Sequence, residues 1–173
     1  ILASLPFVRY VQLLAGSEGP LFRDSQVRTF AILAVLFILG ITGYRMVVNA
    51  MPAEAAFRDA AFNVTSILTG TGYASADYQL WGTFPVVFFF FIGLIGGCAG
   101  STTCSIKVFR YQLLFASIAA QIRKIHSPHG LFAPRYEGRP VSEEVLSSVM
   151  AFFVAFIVSL GVLSVLLGAT GLD

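Results

Sequence analysis

The chain has 173 residues, of which 57% are apolar and 12% charged, and its formal net charge is +2. With a mean hydropathy of +0.82 it lies outside the soluble class, whose domains carry about 25% charged residues. So small an excess of positive charge implies no nucleic-acid partner.

The chain starts at Ile1 without a Met, a charged n-region or a cleavage site. No targeting peptide is expected, and the sequence reads as a segment of something longer. After a stretch bearing Arg9, Arg23 and Arg28, residues Thr29 to Tyr44 contain no Asp, Glu, Lys or Arg. Such runs predict membrane spans, because about 20 helical residues cross the hydrocarbon. This one is short, and Arg45 is expected to snorkel outward so that Met46 to Val48 complete a span over 29–50.

Residues Glu54 to Leu68 (EAAFRDAAFNVTSIL) predict a short helix over 54–68, with Pro52 near its start where a missing N–H costs nothing. Phe57, Ala61, Val64 and Leu68 fall at helical spacing and predict one apolar stripe. From Phe57 to Leu68 the helix would measure about 18 Å, too short to cross a bilayer and suited to entering it halfway. Thr69-Gly70-Thr71-Gly72-Tyr73-Ala74-Ser75 follows. A short helix, a glycine-broken loop over 69–75 and a return toward the same side predict a re-entrant hairpin. Backbone exposed at membrane depth survives only where protein buries it or a water-filled path runs past it. An ordinary extracellular loop with a surface helix is the alternative. Gly70 and Gly72 suit a backbone whose successive carbonyls point one way, the arrangement that replaces the hydration shell of K⁺. Thr71 would contribute its carbonyl and Tyr73 would wedge the loop in place, while the carbonyl end of the preceding helix favours a cation. Asp59 reads either as an attraction for cations or as a partner for a charge on another repeat.

From Tyr78 to Ile106 there is again no charged residue. Phe84 to Ile95 is helical in pattern. Gly96-Gly97-Cys98-Ala99-Gly100-Ser101-Thr102-Thr103-Cys104-Ser105 then interrupts a span expected over 83–119. Three glycines and four Ser or Thr in ten residues hold no rigid helix. The interruption reads as a broken helix lining a cavity, as packing notches pairing Gly93 with Gly97 and Gly96 with Gly100, or as the cytoplasmic end of the span. A phosphate-binding loop is disfavoured, since no Lys directly follows a Gly. Cys98 and Cys104 read as packing residues rather than a disulfide or metal site. Lys107 either bonds loop carbonyls or snorkels to the cytoplasm.

Between Lys107 and Arg139 lie six basic residues (Lys107, Arg110, Arg123, Lys124, Arg135 and Arg139) against Glu137 alone. The positive-inside rule makes 120–142 a cytoplasmic loop, and counting back across two spans places the N-terminal stretch on the same side. His126 and His129 in that loop lack further ligands nearby and read as solvated. Val145 to Leu172 is a third uncharged run, ending at Asp173, and predicts a further span within 143–173. No nucleophile–base pair or metal cluster stands out, so no enzyme is expected. Passage of a cation, or a non-transporting packing or sensory module, are the readings left.

Gly70 to Ala74 resembles the potassium-channel filter signature T-V-G-Y-G. It is closer to the variant in the Trk/Ktr/HKT superfamily of potassium transporters, where the central glycine, here Gly72, is the consistent feature. It differs in having Gly70 where threonine is usual and Ala74 where the channel signature has glycine. Gly96-Gly97-Cys98-Ala99-Gly100-Ser101-Thr102, followed by Ile106-Lys107, resembles the superfamily's G-G-x-x-G-S-T with a later G-G-I-K, Cys104-Ser105 standing for the glycine pair. The resemblance covers nearly the whole chain. It implies an all-α membrane protein: a transmembrane helix, a re-entrant pore helix with filter loop, a broken transmembrane helix, then a further transmembrane helix. In those terms 1–24 is the cytoplasmic end of a preceding helix and its loop, 25–119 a third pore repeat, and 143–173 the start of a fourth. It further implies potassium uptake through a filter of Gly70, Thr71, Gly72 and Tyr73. The implied gate is an intramembrane loop with Gly96, Gly97, Gly100, Ser101, Thr102, Thr103 and Lys107. No cofactor is implied, K⁺ being the cargo. The implied partners are the other pore repeats of the same longer chain, a second copy in a homodimer, the lipid bilayer and a cytosolic nucleotide-binding regulatory subunit. For that subunit the basic stretch Arg123 to Arg139 is a candidate surface, with lipid headgroups as the alternative. The implied location is a bacterial inner membrane, crossed several times.

Overall fold

The structure, a computed structural model, describes residues 1–16, 19–127 and 133–171. The chain divides into two compact units, Ile1–Phe109 and Arg110–Asp173. Among the described residues every regular element is helical except one two-stranded hairpin in the second unit.

In the first unit a 3-10 turn at Leu2–Ser4 leads to α1 (Phe7–Leu14) and the single turn α2 (Pro20–Arg23). The next helix, α3 (Ser25–Val48), starts where Asp24 takes an extended backbone conformation. The Asp24 carboxylate accepts the amides of Gln26 (2.8 Å) and Val27 (3.4 Å), two of the four donors that a helix start leaves open. Arg9 of α1 donates to the other oxygen of this carboxylate at 2.7 Å. With 24 residues, α3 measures about 36 Å. It and α7 (Glu143–Ala169) are each long and apolar enough to cross a bilayer.

Along α3 packs α4 (Ala53–Leu68), with Pro52 as its N-cap. Ala56 and Ala60 are wholly buried, and side chains this small let two helix backbones approach closely. Phe30, Ala34 and Ile41 of α3 share a core with Ala60, Val64 and Leu68 of α4. Trp81, Cys98, Val108, and Phe89 and Ile92 of α5 (Thr83–Leu94) complete it. The stripe expected at Phe57, Ala61, Val64 and Leu68 is therefore split. Val64 and Leu68 are buried, whereas Phe57 is half exposed and lines an open groove with Ala61. The helix is apolar on two faces, and spacing alone does not tell which one this unit covers.

Arg45 does not snorkel. It turns inward, 7% exposed, to pair with Asp59 of α4 at 3.0 Å, and its guanidinium carbon lies 4.1 Å from the Trp81 ring centre. A cation at this depth is stabilised by a carboxylate and an aromatic face. Asp59 thus finds a partner inside the unit.

At 12 residues, α5 is about 18 Å long. Residues 95–107 then leave the helix before α6 (Val108–His126) begins. That helix runs past position 119 and carries Arg123, Lys124 and His126 in its last turn, where positive charge complements the helix dipole. The basic stretch expected as a loop from 120 thus starts as helix. In the second unit Tyr111 meets Phe153 edge to face at 5.3 Å, and Arg110 covers the Phe152 ring at 3.7 Å. The strands β1 (Arg135–Tyr136) and β2 (Arg139–Pro140) pair antiparallel through Glu137 and Gly138, both at positive φ, the two-residue turn that strand twist favours. Ser17, His129, Leu172 and Asp173 lie outside the described residues.

Candidate functional site

Both glycine-rich stretches belong to the first unit, and their backbones meet there. The first grows out of the end of α4. Gly70, at φ +69°, folds the chain back so that its amide bonds the Ile67 carbonyl at 3.0 Å and the Thr71 amide bonds that of Ser66 at 2.9 Å. This paired closure ends many helices, and it requires a left-handed residue that costs an ordinary side chain about 1–2 kcal/mol. The Thr69 hydroxyl adds a bond to the Thr65 carbonyl and lies 2.7 Å from the Thr71 hydroxyl. Gly70 therefore serves first to stop the helix. The carbonyls of Thr65, Ser66 and Ile67 already accept the amides of residues 69–71. The helix acts on the loop as a dipole, and these three oxygens are not open ligands.

The far end of the loop is held by Asn63, to which the sequence reading assigned no role. This side chain is 1% exposed; its oxygen accepts the Ser75 amide at 3.2 Å, and its nitrogen donates to the Ser75 hydroxyl at 2.9 Å and the Asp59 carbonyl at 2.8 Å. The available signal was an amide beside Val64 in an apolar helix, because a buried amide demands partners. Between the two ties, Thr71, Gly72, Tyr73 and Ala74 are exposed, and Gly72 stands at φ +81°. Tyr73 is 76% exposed and wedges against nothing within the unit. With Phe57, Phe62 and Thr65 it lines a groove of about 810 Å³.

The second stretch, 95–107, closes on itself. The Ile106 amide bonds the Leu94 carbonyl (3.1 Å), the Gly96 amide bonds the Ile106 carbonyl (2.7 Å), and the Val108 amide bonds the Gly97 carbonyl (3.1 Å). The chain leaves and returns side by side. Inside the loop the Thr103 hydroxyl accepts the Gly97 amide at 2.8 Å, and the Ser101 hydroxyl donates to the Cys98 carbonyl at 2.6 Å. Lys107 donates to the carbonyls of Ser101 (2.8 Å) and Thr103 (2.7 Å); of its two expected roles, the structure shows the bonding of loop carbonyls. Thr102 is exposed, with its hydroxyl 3.2 Å from the Ala3 carbonyl. Gly100 sits at the tip at φ +73°. Ser105, in the left-handed region at φ +68°, donates to the Gly93 carbonyl at 2.6 Å.

Gly96 and Gly97 are not notches for a facing helix. A Cβ on Gly96 would strike the Cys104 carbonyl, and one on Gly97 would come within 2.6 Å of the Ser4 carbonyl. Gly93 does meet a neighbouring helix, its Cβ position lying 3.7 Å from Ile67. Cys98 is buried in the core and Cys104 is exposed, both as free thiols, so the packing role fits Cys98 alone. The two stretches touch where a Cβ on Gly70 would lie 3.7 Å from the Cys104 amide nitrogen. An exposed run of backbone at the carbonyl end of α4 thus has a compact, hydrogen-bonded loop at its base.

The family described as TrkH, cation transport protein, matches residues 24–169. TrkI of Halomonas elongata, a Trk system potassium uptake protein, is 38% identical over 170 residues, which is 98% of this chain and 34% of that protein. TrkG of Escherichia coli, also a Trk system potassium uptake protein, is 30% identical over 148 residues, 85% of this chain and 30% of its own length. The crystal structure of the potassium transporter TrkH from Vibrio parahaemolyticus superposes with a TM-score of 0.92 at 27% identity, over 99% of this chain and 38% of that one. The fold is that of an all-α membrane protein. The chain spans about a third of the length of the curated relatives it matches.

Proposed function

The chain belongs to the TrkH family of cation transport proteins, and from that membership we propose that it forms one filter-bearing segment of a pore for potassium uptake. The observation that carries this reading is the exposed 70–75 loop, tied at Thr71 and Ser75, resting on the self-closed 95–107 loop. A K⁺ ion entering such a pore exchanges its water for backbone oxygens, here those of Gly70, Thr71, Gly72 and Tyr73. A ring of carbonyls takes about four such segments, and the length that the relatives have beyond this chain supplies the others. In this reading the chain is a third repeat with the start of a fourth.

Residues 95–107 form the gate. Their backbone lies beneath the filter, and Lys107 holds the carbonyls of Ser101 and Thr103 inside the loop. Opening displaces this loop from under Gly70. A multi-pass bacterial inner-membrane location, a homodimer and a cytosolic nucleotide-binding regulatory subunit belong to the same reading. The packing-module alternative is weakened by the contacts of Gly96 and Gly97, which accommodate their own loop and Ser4 rather than a partner helix.

Gly72→Ser in the full-length protein tests the filter. At φ +81° a side chain costs about 1–2 kcal/mol, so discrimination between K⁺ and Na⁺ falls about tenfold. Phe91→Leu, on an exposed position of α5, leaves it unchanged. Intact uptake and selectivity in Gly72→Ser would remove the filter assignment.

A further inference from the structure

The amides of the gate loop draw their partners from two sources. Those of Gly96, Gly97 and Ser101 are satisfied within the loop. The tip is fastened from outside. The Cys98 amide bonds the Ser4 carbonyl at 2.8 Å, the Thr102 amide bonds the Ala3 carbonyl at 3.3 Å, and the Phe7 amide bonds the Gly100 carbonyl at 3.1 Å. The Ala99 amide bonds Oε1 of Gln26 at 2.8 Å, across 73 residues of sequence. Among these outside fastenings of tip amides, Gln26 is the one partner that is a side chain, so it is the one a substitution can remove cleanly.

Gln26 is itself well placed to hold. Its own amide is capped by Asp24, and Asp24 is paired with Arg9 of α1. It sits in the first turn of α3, whose other end is bound to α4 through Arg45 and Asp59. The tip of the loop is thus tied to the helix that also carries the pore helix, while its base lies against Gly70. The tip cannot leave its place without breaking the bond from Ala99 to Gln26.

We propose that Gln26 is a positioning residue that latches the gate: its side-chain oxygen holds the tip of the 95–107 loop in the closed position, and opening breaks that bond. The latch rests on the reading of this loop as the gate. A displacement of α1 reaches it through Arg9 and Asp24.

The test uses the full-length transporter in proteoliposomes, with basal K⁺ flux and K⁺/Na⁺ discrimination as one readout. The other is the alkylation rate of Cys98 by N-ethylmaleimide, read by peptide mass in a Cys104→Ser background. Cys98 adjoins Ala99 and is wholly buried, so its reactivity reports release of the tip. Gln26→Leu keeps the bulk and removes the acceptor. Basal flux and Cys98 alkylation each rise about fivefold, the ratio one net hydrogen bond carries, with ion discrimination unchanged. Gln26→Glu retains an acceptor and restores both to the parental level. Deletion of residues 98–103 reports on the gate alone and raises flux. If the deletion raises flux while Gln26→Leu leaves flux and alkylation at parental values, the latch is refuted and the gate stands. Raised flux in Gln26→Glu refutes it as well, independently of how well Gln26→Leu folds. A deletion without effect on flux overturns the gate, and the latch with it.

Discussion

Asn63→Leu cuts one end of the 70–75 loop free. The amide makes two bonds to Ser75, at 2.9 and 3.2 Å, and each net bond is worth about 0.5–1.5 kcal/mol. Together they hold the loop by about 1–3 kcal/mol, a factor of about 5 to 150 in the balance between held and released loop. Leucine is a good helix former of similar size and is at home beside Val64. Ser75 is exposed, so its freed groups bond water, and the loss falls on loop order rather than on α4. Competition of Na⁺ with K⁺ uptake, measured on the full-length protein in proteoliposomes alongside thermal unfolding, separates the two effects. With the 70–75 loop as the proposed filter, the expected result is a drop in discrimination of at least about fivefold with little change in melting temperature. Ser75→Ala removes one of the two bonds and has a smaller effect, and added to Asn63→Leu it changes nothing further, because the two residues share the interaction. A lowered melting temperature with parental discrimination would show that Asn63 is only a core residue and that the loop keeps its shape without it.

Two further outcomes follow from paired groups. Asp59→Ala leaves Arg45 buried without its carboxylate, which costs about 3 kcal/mol; Arg45→Leu with Asp59→Leu recovers most of it, and unfolding in detergent measures both. At Ser105 the left-handed backbone and the bond to Gly93 oppose each other. Ser105→Gly changes loop stability by less than about 1 kcal/mol, whereas Ser105→Ala keeps the strain and loses the bond, at about 1 kcal/mol. Proteolysis of the 95–107 loop ranks the two variants, and equal sensitivity would mean that the strain is not felt.

The helices were largely legible because their signals are local. Uncharged length marks α3 and α7, Pro52 marks the entry to α4, and the run of Gly, Ser and Thr marks the break after α5. The hairpin at Glu137-Gly138 carried a local signal too, in a stretch read only for its charge. What escaped were pairings made at long range. Arg45 reads as a snorkelling cation until Asp59 is placed beside it. Asn63 looks like a flaw in an apolar stripe until Ser75 returns to it. The bond between Ser4 and Cys98 passes through backbone atoms, which leave no residue pattern to read. The two faces of α4 were confused because one is covered within the unit and the other, with Phe57 and Phe62, is not.

The turn at Gly70 takes its hydrogen bonds from α4 alone. A tip that is shaped by the rod it grows from needs no companions to acquire that shape, and it can form as soon as its residues have left the ribosome. Amide exchange on the isolated 1–109 segment would then find Thr71 already slowed, whereas fast exchange there would mean that neighbours impose the shape. Biogenesis of the longer protein becomes the joining of preformed parts, and a lesion at this turn spoils its part before any joining starts.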